Sequence, residues 1–374
     1  MSAELAPLRL LVTWDGQKPL SVSIENDRPV TADRLVGRAA DEAVKIAPVI
    51  CNLAKRAHAA AASAAVAAAR TGEAHVTSVE EERAVAAEAA QEHLWRLLLD
   101  WPVMFERPVP RDRFGNLHRR LALLKDQQDA FTVGGAILDM VALELMAGFY
   151  QTVRGPRNLT EFVERCRRGG SVGASLASLI ETGSIHCEGY CVPLLPVSSA
   201  ADWAAMLNGM PDAVFRRHPQ WRGQPMETGA LATHPGRPLV AMLLSRGHRI
   251  AARLFARVME LSDCASRLRH PLAPDLPALV DAAPLGPGMG LARVETARGV
   301  LLHAVRLENE KVADYAIVTP GLWNFHPGGA FASEAMCWQP SSDRAATLAR
   351  LRWLALSLDP GKAFEVVLAE AADA

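Results

Sequence analysis

The clearest strand pattern in the chain lies between residues 295 and 327, where two apolar runs are separated by turn residues. Val300–Leu307 and Val312–Val318 are rich in β-branched and apolar residues, and the Glu-Asn-Glu-Lys run between them is typical of a tight turn. A hairpin brings its two ends together, so Arg298 at the entrance and Thr319-Pro320-Gly321 at the exit are expected to line one small pocket. The pattern alone favours a purely structural hairpin.

Most of the remaining chain has the spacing of helices. Helices are predicted over residues 31–46, 48–70, 78–101, 117–150, 160–168, 200–208, 238–269, 342–357 and 360–371. The helix from Pro48 is nearly all alanine for several turns, so its neighbours are expected to approach its backbone closely. Residues 8–14 and 20–27 predict an N-terminal hairpin. The fold expected is mainly α with small β-elements (α+β), with long central helices, as a single domain over 1–374.

Composition and charge exclude several classes of function. With 374 residues and a formal net charge of −1, the chain gives no electrostatic reason to expect a nucleic-acid partner. No apolar run approaches the length of a membrane span, and the first residues lack the pattern of a secretory signal. Six unevenly spread cysteines do not suggest a disulfide framework in a chain this long. A cytoplasmic location without membrane contact is therefore expected.

Cys51 and His58 form the first candidate site. They are seven residues apart on one predicted helix, so they should share a face. Cys51 would lie in the first turn, where the helix dipole favours the thiolate. A lone buried cysteine is more often inert packing, and the residues alone favour that interpretation.

A second candidate is the Cys-x-x-x-Cys spacing of Cys187 and Cys191. Zinc sites usually take four ligands from two such clusters, and the second cluster is missing. A two-thiolate redox site or a transient metal site stays open. His303 alternates with apolar residues in its strand and is predicted to be a hydrogen-bonded core histidine. The glycine-rich nucleotide-binding motifs and the nucleophile elbow are absent from the sequence.

Several segments resemble the large subunit of nickel-iron hydrogenases. The family's Glu-Ala-Pro-Arg-Gly run, its histidine and its Pro-x-x-Trp-Asn run are matched by Glu295, Arg298, Gly299, His303, Pro320, Trp323 and Asn324. The segments Met226–Ala232, Cys51–His58 and Asp359-Pro360 resemble further family motifs in the right order. The resemblance implies a large-subunit-like fold over the whole chain.

The departures from the family pattern bear on function. The family holds nickel and an iron with two cyanides and one carbon monoxide through four cysteines, of which Cys51 alone remains. Ala54, Gly361 and Phe364 stand at the other three positions, and Val367 replaces a histidine. Nickel is selected by such thiolates, so neither bound nickel nor catalytic hydrogen turnover is expected.

The pattern is similar to that of the HupK/HoxV hydrogenase maturation proteins. Membership implies a scaffold that assembles or holds iron with its cyanide and carbon monoxide ligands, bound transiently, before delivery to a hydrogenase large subunit. Arg298 is then the expected cyanide donor, with Thr319 or backbone N–H groups serving the second cyanide and Pro320 and His58 lining the pocket. Cys51, Cys187 and Cys191 are candidate metal ligands.

The partners that this resemblance implies are maturation chaperones of the HypC/HypD type and the large subunit or its maturation intermediates. Two alternatives remain open at the level of sequence. One is a metal-free chaperone that mimics the large subunit. The other is a non-catalytic relative of the complex I subunit of this superfamily, although no residue here suggests a quinone site.

Overall fold

The structure is a computed structural model, and it describes residues 6–26, 31–51, 53–149, 154–182 and 191–371. About half of the chain is helical, and the strands form two small sheets, which confirms the predicted α+β class. Within the described ranges, no helix combines the length and the apolar character needed to cross a membrane.

The helices of these residues are α1 (Ala40–Ile50), α2 (Lys55–Thr71), α3 (Val79–Trp95), α4 (Trp101–Met104), α5 (Arg111–Ala122), α6 (Gln127–Met140), α7 (Leu159–Arg168), α8 (Ser171–Glu181), α9 (Ala200–Leu207), α10 (Ala230–Thr233), α11 (Pro238–Ser245), α12 (Arg249–Arg269), α13 (Pro320–Asn324), α14 (Ala330–Ala335) and α15 (Arg344–Ser357). The strands are β1 (Leu8–Trp14), β2 (Pro19–Glu25), β3 (Val280–Gly286), β4 (Met289–Thr296), β5 (Gly299–Glu308), β6 (Lys311–Val318) and β7 (Phe364–Glu370). A 3-10 turn spans Thr31–Leu35, and π-helical segments span Arg96–Asp100 and Val141–Leu145.

The chain divides into two compact units. The first comprises Met1–Glu81, Gly189–Thr233 and Ala278–Ala374, and the second comprises Glu82–Glu188 and His234–Pro277. Every candidate site residue that the structure describes belongs to the first unit. The expectation of one domain over 1–374 stays a prediction.

The smaller sheet of the first unit has the order β2-β1-β7. The predicted N-terminal hairpin is confirmed, since β1 pairs with β2 in antiparallel fashion. The helix predicted over 360–371 is wrong, because this segment forms β7 and pairs in parallel with β1. Val366 and Leu368 are buried while Glu365 is exposed, and this two-residue alternation is that of a strand with one face on the core.

The larger sheet has the antiparallel order β3-β4-β5-β6. The predicted hairpin is confirmed as β5 and β6, and its turn residues Asn309 and Glu310 have positive φ angles. Helix α2 packs across this sheet, as expected of an alanine-rich helix. The approach is so close that a Cβ on Gly290 of β4 would lie 2.1 Å from the carbonyl oxygen of Ala65.

The second unit is helical, and α12 packs along α6. A Cβ on Gly134 of α6 would lie 2.6 Å from the carbonyl oxygen of Ala265, so glycine permits this crossing. The helix predicted over 238–269 is divided into α11 and α12 at Gly247, which has a φ of +74°. The helix predicted over 117–150 is likewise interrupted between α5 and α6.

Candidate functional site

Asn324 joins three segments of the first unit. Its side chain is buried, its Oδ1 accepts from the backbone N–H of Thr228, and its Nδ2 donates to the carbonyl oxygens of Thr228 and Leu358. One amide thus ties the 226–229 segment and the 358–361 turn to the end of α13. The geometry explains why an asparagine, which both donates and accepts, occupies this position.

Arg298 lies in the two-residue turn between β4 and β5. The turn is closed by Thr296, whose hydroxyl donates to the carbonyl oxygen of Gly299 and accepts from the N–H of Arg298. A Cβ on Gly299 would lie 2.3 Å from Oγ1 of Thr228, and that hydroxyl accepts from the N–H of Val300. The backbone that carries Arg298 is therefore held against the same 226–229 segment that Asn324 fixes.

The guanidinium of Arg298 lies where a side chain at position 361 would otherwise project. A Cβ added to Gly361 would lie 2.2 Å from Nη1 and 3.2 Å from Cζ of Arg298. Gly361 also has a φ of +67°, which L-residues seldom adopt. Gly361 and Arg298 belong to separate motifs of the sequence, and in the structure the guanidinium of Arg298 lies against the backbone of Gly361.

A buried chain of hydrogen bonds runs through His58, His303 and Tyr315. Nδ1 of His58 is 2.8 Å from Nε2 of His303, and Nδ1 of His303 is 2.8 Å from the Tyr315 hydroxyl. The three residues come from α2, β5 and β6, so α2 packing on the sheet creates the chain. The prediction of His303 as a hydrogen-bonded core histidine is confirmed.

Burial keeps both imidazoles of this chain neutral. It lowers the pKa of His58 to about 3, with the positive charge of Arg298 as a further cause. It also holds the pKa of His303 well below its usual range, with a smaller contribution from His58. Burial, and next the proximity of Cys51, raises the pKa of the Tyr315 hydroxyl. The charge of Arg298 thus acts on His58, and that of Cys51 acts on Tyr315.

The local structure predicted for Cys51 is wrong. Cys51 follows the last residue of α1 in an extended conformation, and α2 begins at Lys55 after Ala54, which has a φ of +53°. Cys51 and His58 therefore do not share a helix, and no helix N-terminus stabilises the thiolate. Burial instead raises the pKa of the Cys51 thiol to about 12.

The other predicted site residues that the structure describes are Thr319, Pro320 and Cys191. Thr319 precedes α13 as its N-cap, and Pro320 is buried in its first turn. Cys191 is half-buried and precedes a segment in which Leu195 donates to, and Pro193 accepts from, the backbone of Glu227. Cys187 lies outside the described residues. No group of three or more His, Cys, Asp or Glu side chains in the described ranges is arranged to hold a metal ion.

Sequence reasoning missed two contributors to this site. The sequence places Tyr315 in an apolar strand, and the hairpin register could have signalled its role, because Tyr315 lies opposite Val305, two residues along β5 from His303 and on the same face. Thr228 was noted only within a motif, and its contacts with Asn324 and Val300 depend on segments far apart in sequence. Chemically, the site offers the cationic guanidinium of Arg298, whose charge acts on the neutral ring of His58, and a guanidinium is suited to a small anionic group.

Comparison with known proteins gives relatives in sequence and in structure. No protein-family model matches the chain. It is 29% identical to the hydrogenase expression/formation protein HupK of Rhizobium leguminosarum bv. viciae, over 97% of this chain and 96% of that protein. It is 28% identical to the hydrogenase expression/formation protein HoxV of Cupriavidus necator, over 85% of this chain and 84% of that protein.

Among solved structures, a nickel-iron-selenium hydrogenase from Desulfovibrio vulgaris Hildenborough matches with a TM-score of 0.60 at 15% identity, over 92% of this chain and 93% of that chain. The likeness confirms the predicted large-subunit-like fold. At this identity the structural likeness supports the fold alone.

Proposed function

Because this chain is a homologue of the HupK and HoxV hydrogenase expression/formation proteins, we propose that it acts in hydrogenase maturation as a non-catalytic factor. More specifically, it holds iron carrying cyanide and carbon monoxide before that iron is delivered to a nickel-iron hydrogenase large subunit. The iron is cargo in this proposal, bound transiently and without nickel.

The observation that carries the proposal is the position of the Arg298 guanidinium. The family resemblance assigns a metal-binding thiol to position 361, and here the guanidinium reaches to 2.2 Å from where the Cβ of that side chain would be. A donor-only cation in place of an anionic ligand suits the cyanide nitrogens. The site therefore fits the diatomic ligands of an iron better than it fits nickel.

Cys51 is the thiolate anchor in this proposal. Burial raises the pKa of its thiol to about 12, so the free protein holds the proton. Metal binding displaces protons from its ligands, and the thiolate would form only when iron arrives. Cys187 and Cys191 remain candidate auxiliary ligands, and Thr319 and Pro320 remain candidate pocket residues.

The partners proposed are maturation chaperones of the HypC/HypD type, which would supply the iron group, and the large subunit or its maturation intermediates, which would receive it. A fold shared with the large subunit supports this, because a donor chaperone could recognise both proteins by similar surfaces. A cytoplasmic location accords with such partners. The relative of the complex I subunit is the weaker alternative, since neither sequence relative bears such a name.

A metal-free mimic of the large subunit is the competing function, and the protonated state of Cys51 favours it. Substitution of Cys51 by Ser separates the two. Hydrogenase maturation in cells that depend on the variant should fail if the thiolate holds iron and survive if the protein is a mimic. Cys337→Ser is the matched control, because Cys337 instead donates to the carbonyl oxygen of Ser333 in α14. Normal maturation with Cys51→Ser would overturn the scaffold proposal.

A further inference from the structure

One buried arginine, Arg350, lacks the counter-charge that the other buried arginines have. The buried arginines of the described residues are Arg253, Arg257, Arg267, Arg293 and Arg350. The guanidinium of Arg267 pairs with Glu82. That of Arg293 pairs with Glu295 at 2.9 Å. Arg253 and Arg257 also have partners. The guanidinium of Arg350, in contrast, makes no hydrogen bond or ion pair with any residue that the structure describes.

Arg350 lies on the buried face of α15. The residue is 8% exposed, and Thr347 and Leu354, about one helical turn to either side, are 4% and 0% exposed. Burial lowers the pKa of the Arg350 guanidinium, and the charge of Asp343 opposes this shift. Arginine nevertheless stays protonated in proteins. A positive charge is therefore buried here, and buried charges are normally paired.

Asp343 does not supply the missing counter-charge. It is the N-cap of α15, and its Oδ1 accepts from the backbone N–H of Ala346 at 2.9 Å. Because Arg350 has no ion pair within the described ranges, Asp343, two helical turns earlier, acts on it only through its charge. Thr347 lies between them and donates its hydroxyl proton to the carbonyl oxygen of Asp343. Both polar side chains are thus engaged at the start of α15, and the guanidinium needs an acceptor from elsewhere.

The tip of the guanidinium is open to a ligand. Nε of Arg350 is buried and unpartnered. Nη1 and Nη2 have no partner among the described residues either, but they are not buried atoms, so the exposed part of Arg350 includes them. The side chain is therefore enclosed by protein while its terminal N–H groups face solvent. Such paired N–H groups match the spacing of two oxygens in a carboxylate or a phosphate.

We propose that Arg350 is the centre of a binding site for an oxyanion, a carboxylate or a phosphate group, which supplies the counter-charge that the described residues do not provide. The oxyanion accepts hydrogen bonds from the Nη groups at the surface, and its negative charge stabilises the buried cation. No covalent bond is made or broken. The site is independent of the iron in the proposed function, so either proposal can fail without the other.

Nuclear magnetic resonance of the full chain with isotope-labelled arginine tests binding at this residue. The Nε–H signal of Arg350 is identified by its absence from Arg350→Met or Arg350→Lys. Titration with inorganic phosphate and, separately, with acetate, at an ionic strength held constant with chloride, should shift this signal in a saturable way. A response to phosphate alone assigns a phosphate group as the ligand, and a response to acetate assigns a carboxylate. If neither anion shifts the signal in the wild-type protein, the inference is overturned.

Thermal unfolding with a matched control tests the charge argument. Arg352 lies on the same helix, is exposed, and has no partner among the described residues. The anion that shifts the Arg350 signal should raise the Tm of the wild-type protein and of Arg352→Met, and the rise should be lost in Arg350→Met. In chloride alone, Arg350→Met should have a Tm no lower than the wild type, because it removes a buried charge that has no partner. An undiminished rise in Arg350→Met, or a Tm of Arg350→Met in chloride well below that of the wild type, would overturn the inference.

Discussion

Substitution of Gly361 by Ala tests the relation between Arg298 and the 358–361 turn. An L-residue at the φ of +67° that Gly361 adopts costs about 1–2 kcal/mol in the free energy of unfolding. The new Cβ would also lie 2.2 Å from Nη1 of Arg298. Since Nη1 is the end of a flexible side chain, the guanidinium can move aside at little cost in stability, but its charge then leaves the neighbourhood of His58.

Two measurements separate these effects. Urea unfolding of Gly361→Ala should show a free energy of unfolding lower by about 1–2 kcal/mol, because alanine is strained in the left-handed conformation. Titration of His58 by nuclear magnetic resonance should show a raised pKa, because the charge of Arg298 is one of the two causes that lower it. The pKa of His58 should stay below the ordinary value of 6.5, because burial is the larger cause and remains.

Gly72→Ala is the matched control for this experiment. Gly72 has a φ of +69°, and a Cβ there would meet no atom within 4 Å. Gly72→Ala should lower the free energy of unfolding by about as much as Gly361→Ala, because both place alanine in a left-handed backbone conformation. The pKa of His58 should not change in Gly72→Ala. If Gly361→Ala leaves the pKa of His58 at its wild-type value, the placement of the guanidinium is refuted.

Three further predictions concern the two units. Asn324→Ala removes three hydrogen bonds to buried backbone groups and should destabilise the first unit by roughly 3 kcal/mol or more in urea unfolding. His58 has a folded pKa of about 3 against 6.5 unfolded, so its contribution to stability should fall as the pH drops through 6.5, by about 1 kcal/mol between pH 6.5 and one pH unit lower. His58→Gln should lose the part of this dependence that His58 contributes and keep the part that comes from His303, and an undiminished acid sensitivity in the variant would contradict the burial of a neutral ring at position 58. In the second unit, burial opposes protonation of His234, but the hydrogen bond and charge of Glu260 outweigh it and raise its pKa. The stabilisation from protonated His234 should be complete below pH 6.5 and be lost as the pH rises through the raised pKa. His234→Gln should remove this pH dependence from the free energy of unfolding measured across neutral pH.

The parts of the fold that sequence predicted correctly are those fixed by local chemistry. Ser78 and Glu81 form a capping box where the helix predicted over 78–101 begins, since each side chain accepts from the backbone N–H of the other. The β5–β6 hairpin follows from apolar strands around turn residues. The close packing of α2 follows from its alanines, although two of the strands it packs on, β3 and β4, lie outside the strands that the sequence predicts.

The errors arise where distant segments decide the outcome. The segment that forms β7 has apolar residues compatible with helix or strand, and its pairing with β1, more than 350 residues earlier, selects the strand. Cys51 was assigned to a helix start because Pro48 suits a first turn, whereas α1 continues through Pro48 to Ile50. The left-handed Ala54 that separates α1 from α2 carries no sequence signal, since alanine rarely adopts this conformation.

The candidate site was predictable as a set of motifs and unpredictable as a set of contacts. The resemblance matches Arg298 and Asn324 to family motifs, and both lie against the 226–229 segment and the 358–361 turn. The His58–His303–Tyr315 chain depends on α2 lying across β3, β4 and β5 and on the pairing of β5 with β6, which is a tertiary arrangement. The position of the guanidinium over Gly361 likewise depends on two turns that meet only after folding.

The central claim is that the Arg298 site holds an iron with diatomic ligands. Infrared spectroscopy and iron analysis of the wild-type protein, purified without oxygen after co-expression with the maturation chaperones and a large subunit, test it most directly. The account predicts cyanide and carbonyl bands with iron above background, and a shifted cyanide band in Arg298→Lys. Wild-type protein that carries neither band, with iron at background, would contradict it.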